Sequence, residues 1–220
     1  MEKVEQILAE KLLKIRAIKL QPSIPFTWAS GWKSPIYTDN RVTLSYPELR
    51  NFIKVEISRI IAENFPDVDA VAGVATGAIA QGALAADSLA LPYAYVRSSP
   101  KDHGLENLIE GNLKAGQKVV VVEDLVSTGL SSLKAVDAIR KAGCEVVGMV
   151  AMFTYQFPVA QERFAEKGVK LITLSNYTAM LEAALRTNYI RPEDVDVLKE
   201  WRKDPGNWSP ANFSETSVNE

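Results

Sequence analysis

The sequence has little of several residue types and patterns, and each shortage excludes a class of protein. It contains one cysteine, Cys144, so a disulfide within the chain is impossible, which is usual in a reducing compartment. It has no long apolar run, and its first residues lack the pattern of a signal peptide. The net charge of −2 provides no broad basic surface for nucleic acid or anionic membranes. We therefore expect a cytoplasmic protein that binds neither nucleic acid nor membranes.

What remains is the pattern of a globular α/β protein. The chain has 220 residues, of which 47% are hydrophobic, and this suits one domain with at most a small appendage. Short apolar runs alternate with helical patterns and predict a mostly parallel sheet flanked by helices. The strands are expected near residues 69–74, 93–97, 119–122, 146–153 and 169–174.

The two ends of the chain have patterns of their own. An apolar stripe at helical spacing predicts a helix over residues 2–20. Terminal helices are expected over 176–186 and 192–203, and the Pro-, Gly-, Asn- and Ser-rich sequence from Asp204 predicts a loose tail. The chain then divides into an amino-terminal segment, a core, and terminal helices with the tail. Their boundaries are 1–66, 67–175 and 176–220.

The most informative stretch is V-V-V-V-E-D-L-V-S-T-G-L-S, at residues 119–131. The four consecutive valines predict a strand that is buried on both faces. Leu133, Val136 and Ile139 recur at helical spacing and predict a helix that Gly143 ends. The acids and the hydroxyl-rich loop are therefore expected where the strand ends, meets water and gives way to the helix. Open α/β sheets bind their ligands at such a position.

The loop has the chemistry of a phosphate site. Its serine and threonine hydroxyls can donate hydrogen bonds, Gly129 allows the backbone to bend, and the helix adds N–H donors and a positive dipole end. Glu123 and Asp124 would repel phosphate and suit either neutral hydroxyls, such as a ribose diol, or a divalent cation. The alternative is an ordinary strand–turn–helix in which Ser131 or Ser132 caps the helix.

The same segment resembles the phosphoribosyl-pyrophosphate (PRPP) motif of the type I phosphoribosyltransferases. The resemblance implies that Asp124 is catalytic and holds the ribose hydroxyls, and that Ser127 also contacts the base. It implies that the turn at residues 75–78, A-T-G-A, lies against pyrophosphate, and the alternative for any single one of these residues is an ordinary tight strand–helix turn. The PRPP-binding residues that it implies here are Glu123, Asp124, Leu125, Val126, Ser127, Thr128, Gly129, Leu130 and Ser131.

Residues 26–41, F-T-W-A-S-G-W-K-S-P-I-Y-T-D-N-R, are rich in aromatic, turn and cationic residues. Composition alone fits equally a hairpin with packed rings, or a site in which rings flank a planar base and cations meet its carboxylate. The pattern F-T-x-x-S-G-x-K-S-P resembles the amino-terminal signature of the orotate phosphoribosyltransferases. The resemblance implies that Phe26, Lys33 and Tyr37 bind orotate. Ala29 departs from it, because many bacterial relatives carry a lysine there.

The polar stretch over residues 98–111 has few core residues and predicts a mobile loop. It follows Arg97 and contains Lys101 and His103, the only histidine of the chain. Such cation-capable groups suit a polyanion that is being transferred. The pattern R-x-x-x-K-D-H-G resembles the catalytic loop of the same family. It implies that all three residues bind PRPP and that Lys101 and His103 are catalytic.

Together these resemblances imply an enzyme that joins orotate to PRPP, giving orotidine 5′-monophosphate and pyrophosphate, in pyrimidine synthesis. They also imply a type I phosphoribosyltransferase-like core under a small amino-terminal hood that the terminal helices complete. The enzyme would need Mg²⁺ carried by PRPP or pyrophosphate, with no metal site of its own, and would be a homodimer with shared active sites. Two alternatives are a purine phosphoribosyltransferase and a PRPP-sensing regulatory protein of the same fold.

One feature of the family is missing near the end of the strand at 146–153. Some members place an arginine there to hold the orotate carboxylate, whereas this chain has F-T-Y at residues 153–155. We therefore expect the carboxylate to be bound by another group, such as Lys33 or backbone N–H groups.

Overall fold

Strands and helices alternate along most of the chain. The computed structural model describes residues 3–28, 30–99 and 108–209. In chain order the elements are α1 (Val4–Lys14), β1 (Ile18–Leu20), β2 (Phe26–Thr27), β3 (Lys33–Ser34), β4 (Ile36–Thr38), a 3₁₀ helix (Asn40–Ser45), α2 (Pro47–Asn64), β5 (Ala70–Val74), α3 (Ile79–Leu89), β6 (Tyr93–Val96), β7 (Ile109–Glu110), β8 (Lys118–Val126), α4 (Leu130–Lys141), β9 (Glu145–Thr154), α5 (Pro158–Glu166), β10 (Leu171–Asn176), α6 (Tyr177–Arg186) and α7 (Asp194–Lys203).

The main sheet has six strands in the order β10-β9-β8-β5-β6-β7. All neighbours are parallel except β7, which pairs antiparallel with β6. The predicted α/β fold with a mostly parallel, helix-flanked sheet is therefore confirmed. No helix in the described ranges is long and apolar enough to span a membrane.

The valines of β8 show why this strand lies at the centre of the sheet. All four are fully buried, and they alternate between two apolar clusters on opposite faces. Val120 and Val122 pack in the cluster that includes α1, α2, α3 and α6, whereas Val119 and Val121 pack with α4 and α5. A strand with helices on both faces needs apolar side chains at every position, and the valine run supplies them.

The sequence analysis placed the two acids where this strand ends, and this expectation is wrong. β8 continues through them to Val126, because the long neighbouring strand β9 keeps pairing with it as far as Val126 and Thr154. Successive side chains of a strand point to opposite faces. Glu123 therefore lies in the interior at 4% exposure, and only Asp124 is half-buried.

The prediction of a helix over residues 2–20 is wrong in its second half. Helix α1 ends at Lys14, and the chain reverses at Arg16, whose φ is 57°. Ile18–Leu20 then forms β1, which pairs antiparallel with β4. Ile18, Lys19 and Leu20 alternate apolar and polar, so they fit a strand as well as a helix, and the partner strand decides between the two.

The small strands near the amino terminus lie over the carboxyl edge of the main sheet. β2 pairs antiparallel with β3, as β1 does with β4. The 3₁₀ helix that follows connects this segment to β8, because the side-chain amide of Asn40 donates a 2.7 Å hydrogen bond to the backbone oxygen of Asp124.

The sequence predicted a loose tail from Asp204, and within residues 204–209 only Pro205 and Trp208 are half-buried, while the other four residues are exposed. Helix α7 buries Trp201 completely. Gly206 lies against the ring of Trp32, and Trp208 is partly buried against the main apolar cluster. Aromatic contacts across the fold offset the weak local preference of this Pro/Gly-rich sequence. The predicted looseness of residues 210–220 concerns a part of the chain outside the described residues.

Candidate active site

The loop between β8 and α4 is open to solvent at the carboxyl edge of the sheet. Ser127 and Thr128 are half-buried, Gly129 has a φ of 81°, and α4 begins at Leu130. Leu130 and Ser131 are exposed. The backbone oxygen of Thr128 accepts a 2.8 Å hydrogen bond from Arg163, so α5 holds the loop from behind. Thr128, Ser131 and the first residue of α4 line the same cavity, and an anion site needs hydroxyls grouped in this way with the amino end of a helix.

Glu123 is held inside the fold. One carboxylate oxygen accepts a 2.8 Å hydrogen bond from the hydroxyl of Ser132, and the other accepts a 3.0 Å bond from the backbone N–H of Asp124. The pKa of the Glu123 carboxyl is raised well above its usual value, mainly because burial disfavours the charged form and further because Asp124 carries a like charge. These contacts tie β8 to α4, and they direct the carboxyl toward the helix.

Asp124 lies on the opposite face, against the turn that joins β5 to α3. A Cβ atom at Gly77 would overlap the carboxylate of Asp124, so only glycine permits this approach. The peptide bond between Ala75 and Thr76 in this turn is cis. The structure thus brings Asp124 into direct contact with the turn at residues 75–78.

A cavity of about 590 Å³ lies beside these elements. Val74 and Ala75 at the end of β5, Arg97 and Ser98 after β6, and Ser131 of α4 are among its lining residues. The Nη1 atom of Arg97 is 3.5 Å from a carboxylate oxygen of Glu110 on β7. Arg97 is therefore brought together with the loop. Lys101 and His103 lie outside the described residues.

Three of the four residues predicted to bind orotate, Phe26, Lys33 and Tyr37, lie on the small strands, and the fourth, Ser127, lies on the loop after β8. The rings of Phe26 and Tyr37 are 5.6 Å apart between centroids, and Tyr37 is 39% exposed. The Nζ atom of Lys33 donates a 3.0 Å hydrogen bond to the hydroxyl of Thr27. The nearby Lys19 places its Nζ atom 5.9 Å from the centroid of the Tyr37 ring.

Tyr155 links this segment to Asp124. Its pKa is raised, mainly because the phenol is buried, and further because Asp124 carries a negative charge nearby. The side chain of Thr38 acts in the opposite direction. The phenol of Tyr155 therefore lies near Thr38, Tyr37 and Asp124, where β9 meets the small strands.

An aromatic cluster that sequence reasoning missed stands behind Tyr155. Its ring stacks on Trp28 at 5.3 Å and meets Trp201 of α7 edge-on at 5.7 Å. Trp201 also packs edge-on against Trp28 and Phe157. The available signal was Leu198 and Trp201, two apolar residues at i and i+3 in a helix that is rich in charged residues.

The same elements occur in known proteins. Residues 49–181 match the family model described as "Phosphoribosyl transferase domain". The chain is 70% identical over 208 residues to an orotate phosphoribosyltransferase of Phocaeicola vulgatus, which covers 94% of this chain and 98% of that protein.

Two solved structures extend the similarity to the fold. The orotate phosphoribosyltransferase of Aeropyrum pernix has a TM-score of 0.73 and 29% identity, over 84% of this chain and 99% of that one. The Mycobacterium tuberculosis orotate phosphoribosyltransferase, in complex with PRPP, has a TM-score of 0.63 and 25% identity, over 80% of this chain and 98% of that one. The matched domain contains the loop, Asp124 and the turn at 75–78, and the relative from Phocaeicola vulgatus extends over nearly the whole length. The chain therefore belongs to the orotate phosphoribosyltransferase family.

Proposed function

We propose that this protein transfers the 5-phosphoribosyl group of PRPP to orotate in de novo pyrimidine synthesis, giving orotidine 5′-monophosphate and pyrophosphate. The observation that carries the proposal is the contact of Asp124 with the turn at Gly77, beside the loop at 127–131. That contact brings a hydroxyl acceptor, a backbone turn and an anion site to one edge of the sheet. The family to which the chain belongs supports the choice of substrates.

The loop binds the 5-phosphate in this scheme. The hydroxyls of Ser127, Thr128 and Ser131, together with backbone N–H groups at the start of α4, donate to the phosphate oxygens. The positive φ of Gly129 turns the backbone so that these donors converge. The 5-phosphate is not changed in the reaction, so its binding energy serves to position the ribose.

Asp124 is assigned to the ribose, on which positive charge develops during the reaction. The bond from C1 of the ribose to the pyrophosphate oxygen breaks, the bond from C1 to N1 of orotate forms, and the proton of N1 passes to the departing pyrophosphate. The ribose passes through an oxocarbenium-like state, and a carboxylate that accepts hydrogen bonds from the ribose hydroxyls stabilises the positive charge. Because Asp124 touches the turn at 75–78, the departing pyrophosphate lies next to the same carboxylate and needs cations to offset the repulsion.

Those cations come from the chain and from the substrate. Lys101 and His103 are assigned to the pyrophosphate, together with Arg97 at the cavity edge. Within the described ranges no group of three or more His, Cys, Asp or Glu side chains could hold a metal ion. The single half-buried carboxylate of Asp124 fits a Mg²⁺ ion that arrives on PRPP, and this ion neutralises the phosphate charge when bound.

We also propose that the protein is a cytoplasmic homodimer. In this arrangement Lys101 and His103 of one chain complete the site that Asp124 and the loop of the other chain begin. Ser98 and Leu108, which flank the intervening segment, both line the 590 Å³ cavity. Both ends of the segment therefore lie at the carboxyl edge of the sheet, from which it would extend to the site of the partner chain.

An absorbance assay tests the activity. With PRPP and Mg²⁺, orotate absorbance should fall as pyrophosphate forms, while adenine, guanine and hypoxanthine remain unchanged. Asp124→Asn should lower kcat/KM by at least about ten-fold, since a charged hydrogen-bond acceptor is lost. The matched control is Asp67→Asn, whose side chain is 82% exposed, and it should stay near wild type. Consumption of a purine base without loss of orotate would overturn the proposal.

A further inference from the structure

One cation at the carboxyl edge of the sheet has only uncharged partners. The Nη1 atom of Arg202 on α7 donates to the Oε1 atom of Gln156 at 3.2 Å and to the hydroxyl of Thr178 at 3.4 Å. Within residues 3–28, 30–99 and 108–209 these are the acceptors of its hydrogen bonds. The guanidinium also lies 5.7 Å from the centroid of the Tyr177 ring. A half-buried guanidinium without a carboxylate has donors left for an anion.

The position of this guanidinium is fixed by a turn at the end of β9. Gln156 has a φ of 57°, and its backbone N–H donates to the hydroxyl of Thr154 at 3.0 Å. Its side-chain oxygen accepts from the backbone N–H and the hydroxyl of Thr178 as well as from Arg202. One amide oxygen thus ties β9, α6 and α7 together and holds the guanidinium at the edge where the substrate site lies.

Arg202 lines a second cavity, which shares the lining residue Thr128 with the cavity of the proposed site. This cavity has a volume of about 490 Å³, and its lining includes Arg202, Trp32, Phe157 and Thr128. Thr128 belongs to the loop at 127–131 and also lines the 590 Å³ cavity. A planar ring bound in this cavity would share it with the rings of Trp32 and Phe157 and with the guanidinium of Arg202.

The other charged groups nearby are less suited than Arg202 to bind a carboxylate. Arg41 is bound by both oxygens of Asp39, at 2.7 and 3.1 Å, and Arg163 donates to the backbone of Thr128. Two acids, Glu162 and Asp204, also line the 490 Å³ cavity, but both are exposed. Their charge is therefore screened by water more strongly than that of half-buried Arg202.

We propose that Arg202 binds the carboxylate of orotate and so selects orotate over uracil, which lacks that group. This inference rests on the proposed function. Some family members hold this carboxylate with an arginine near the end of the strand that corresponds to β9, where this chain has F-T-Y at residues 153–155. The inference assigns the contact to α7 instead. The Nη2 and Nε atoms, which have no acceptor in the described part of the chain, supply the fork that a carboxylate accepts. Arg202 then acts as a specificity residue that contacts the substrate.

The test compares orotate with uracil as substrates of wild type and Arg202→Gln. The variant should raise the KM for orotate by about ten-fold or more, as expected for a lost charged hydrogen bond. The KM for PRPP and the kcat/KM for uracil should change by less than about three-fold, so the preference for orotate collapses. Lys203→Gln is the matched control, because it removes the same charge from the same cavity but from a lysine paired with Glu200 at 2.6 Å.

A second variant covers the case in which Arg202→Gln unfolds. Arg202→Lys keeps the charge but not the fork, and should show an intermediate KM for orotate at an unchanged melting temperature. Wild type that turns over orotate, with an unchanged orotate-to-uracil ratio in a folded Arg202 variant, would overturn this inference alone. Wild type that does not use orotate at all would overturn the proposed function first.

Discussion

Replacing Trp201 tests whether α7 is an integral part of the fold. Its side chain is fully buried and packs edge-on against Trp28, Tyr155 and Phe157. Trp→Ala at such a position costs about 3–5 kcal/mol of the free energy of unfolding, and the lost ring pairs favour the upper part of that range. At ~2–4 °C per kcal/mol for a chain of this size, the melting temperature should fall by roughly 6–20 °C.

The assay is urea denaturation followed by far-UV circular dichroism, with thermal melts as a second measurement. Trp201→Phe should lose less stability, because the indole N–H has no hydrogen-bond acceptor in the described ranges and only volume is lost. Tyr189→Ala, at a residue that is 38% exposed, is the control and should stay within ~0.5 kcal/mol of wild type. A loss below ~1 kcal/mol for Trp201→Ala would refute the docked position of α7.

The remaining predictions concern the site. Gly77→Ala should reduce kcat/KM by about 100-fold with little change in melting temperature, because the added methyl displaces the carboxylate of Asp124; normal kinetics would refute that contact. Glu123→Gln should remove a pH dependence of stability. The folded-state pKa of Glu123 is raised above the 4.5 of the unfolded chain, so wild type loses ~1.4 kcal/mol per pH unit between the two values. Denaturation at pH 5 and pH 8 should therefore show wild type weakening while the glutamine variant does not, and equal slopes would contradict the burial of that carboxyl. Mixing Lys101→Ala with Asp124→Asn after dissociation should restore full activity to about a quarter of sites, since half the dimers are mixed and one of their two sites has neither defect. No recovery despite confirmed subunit exchange would mean that each chain completes its own site.

Local signals determined the elements of the core. The valines of β8 predicted a strand with both faces covered because no polar side chain interrupts the run, and the structure buries all of them. The hydroxyls and Gly129 predicted an open turn before a helix, since serine, threonine and glycine favour such a turn in any tertiary setting. The family resemblance also followed from short contiguous motifs, which need no knowledge of the fold.

Tertiary contacts decided the conformation of the other segments, where the sequence fitted two local patterns equally well. Residues 18–20 became a strand because β4 offered a pairing partner. Glu123 and Asp124 were separated because β9 kept β8 paired, and a period of two turns neighbours to opposite faces. Trp201 and Arg202 take their positions because rings from distant segments enclose the first and the amide of Gln156 holds the second. Such contacts join residues far apart in the chain, and their energy depends on three-dimensional packing that no local pattern encodes.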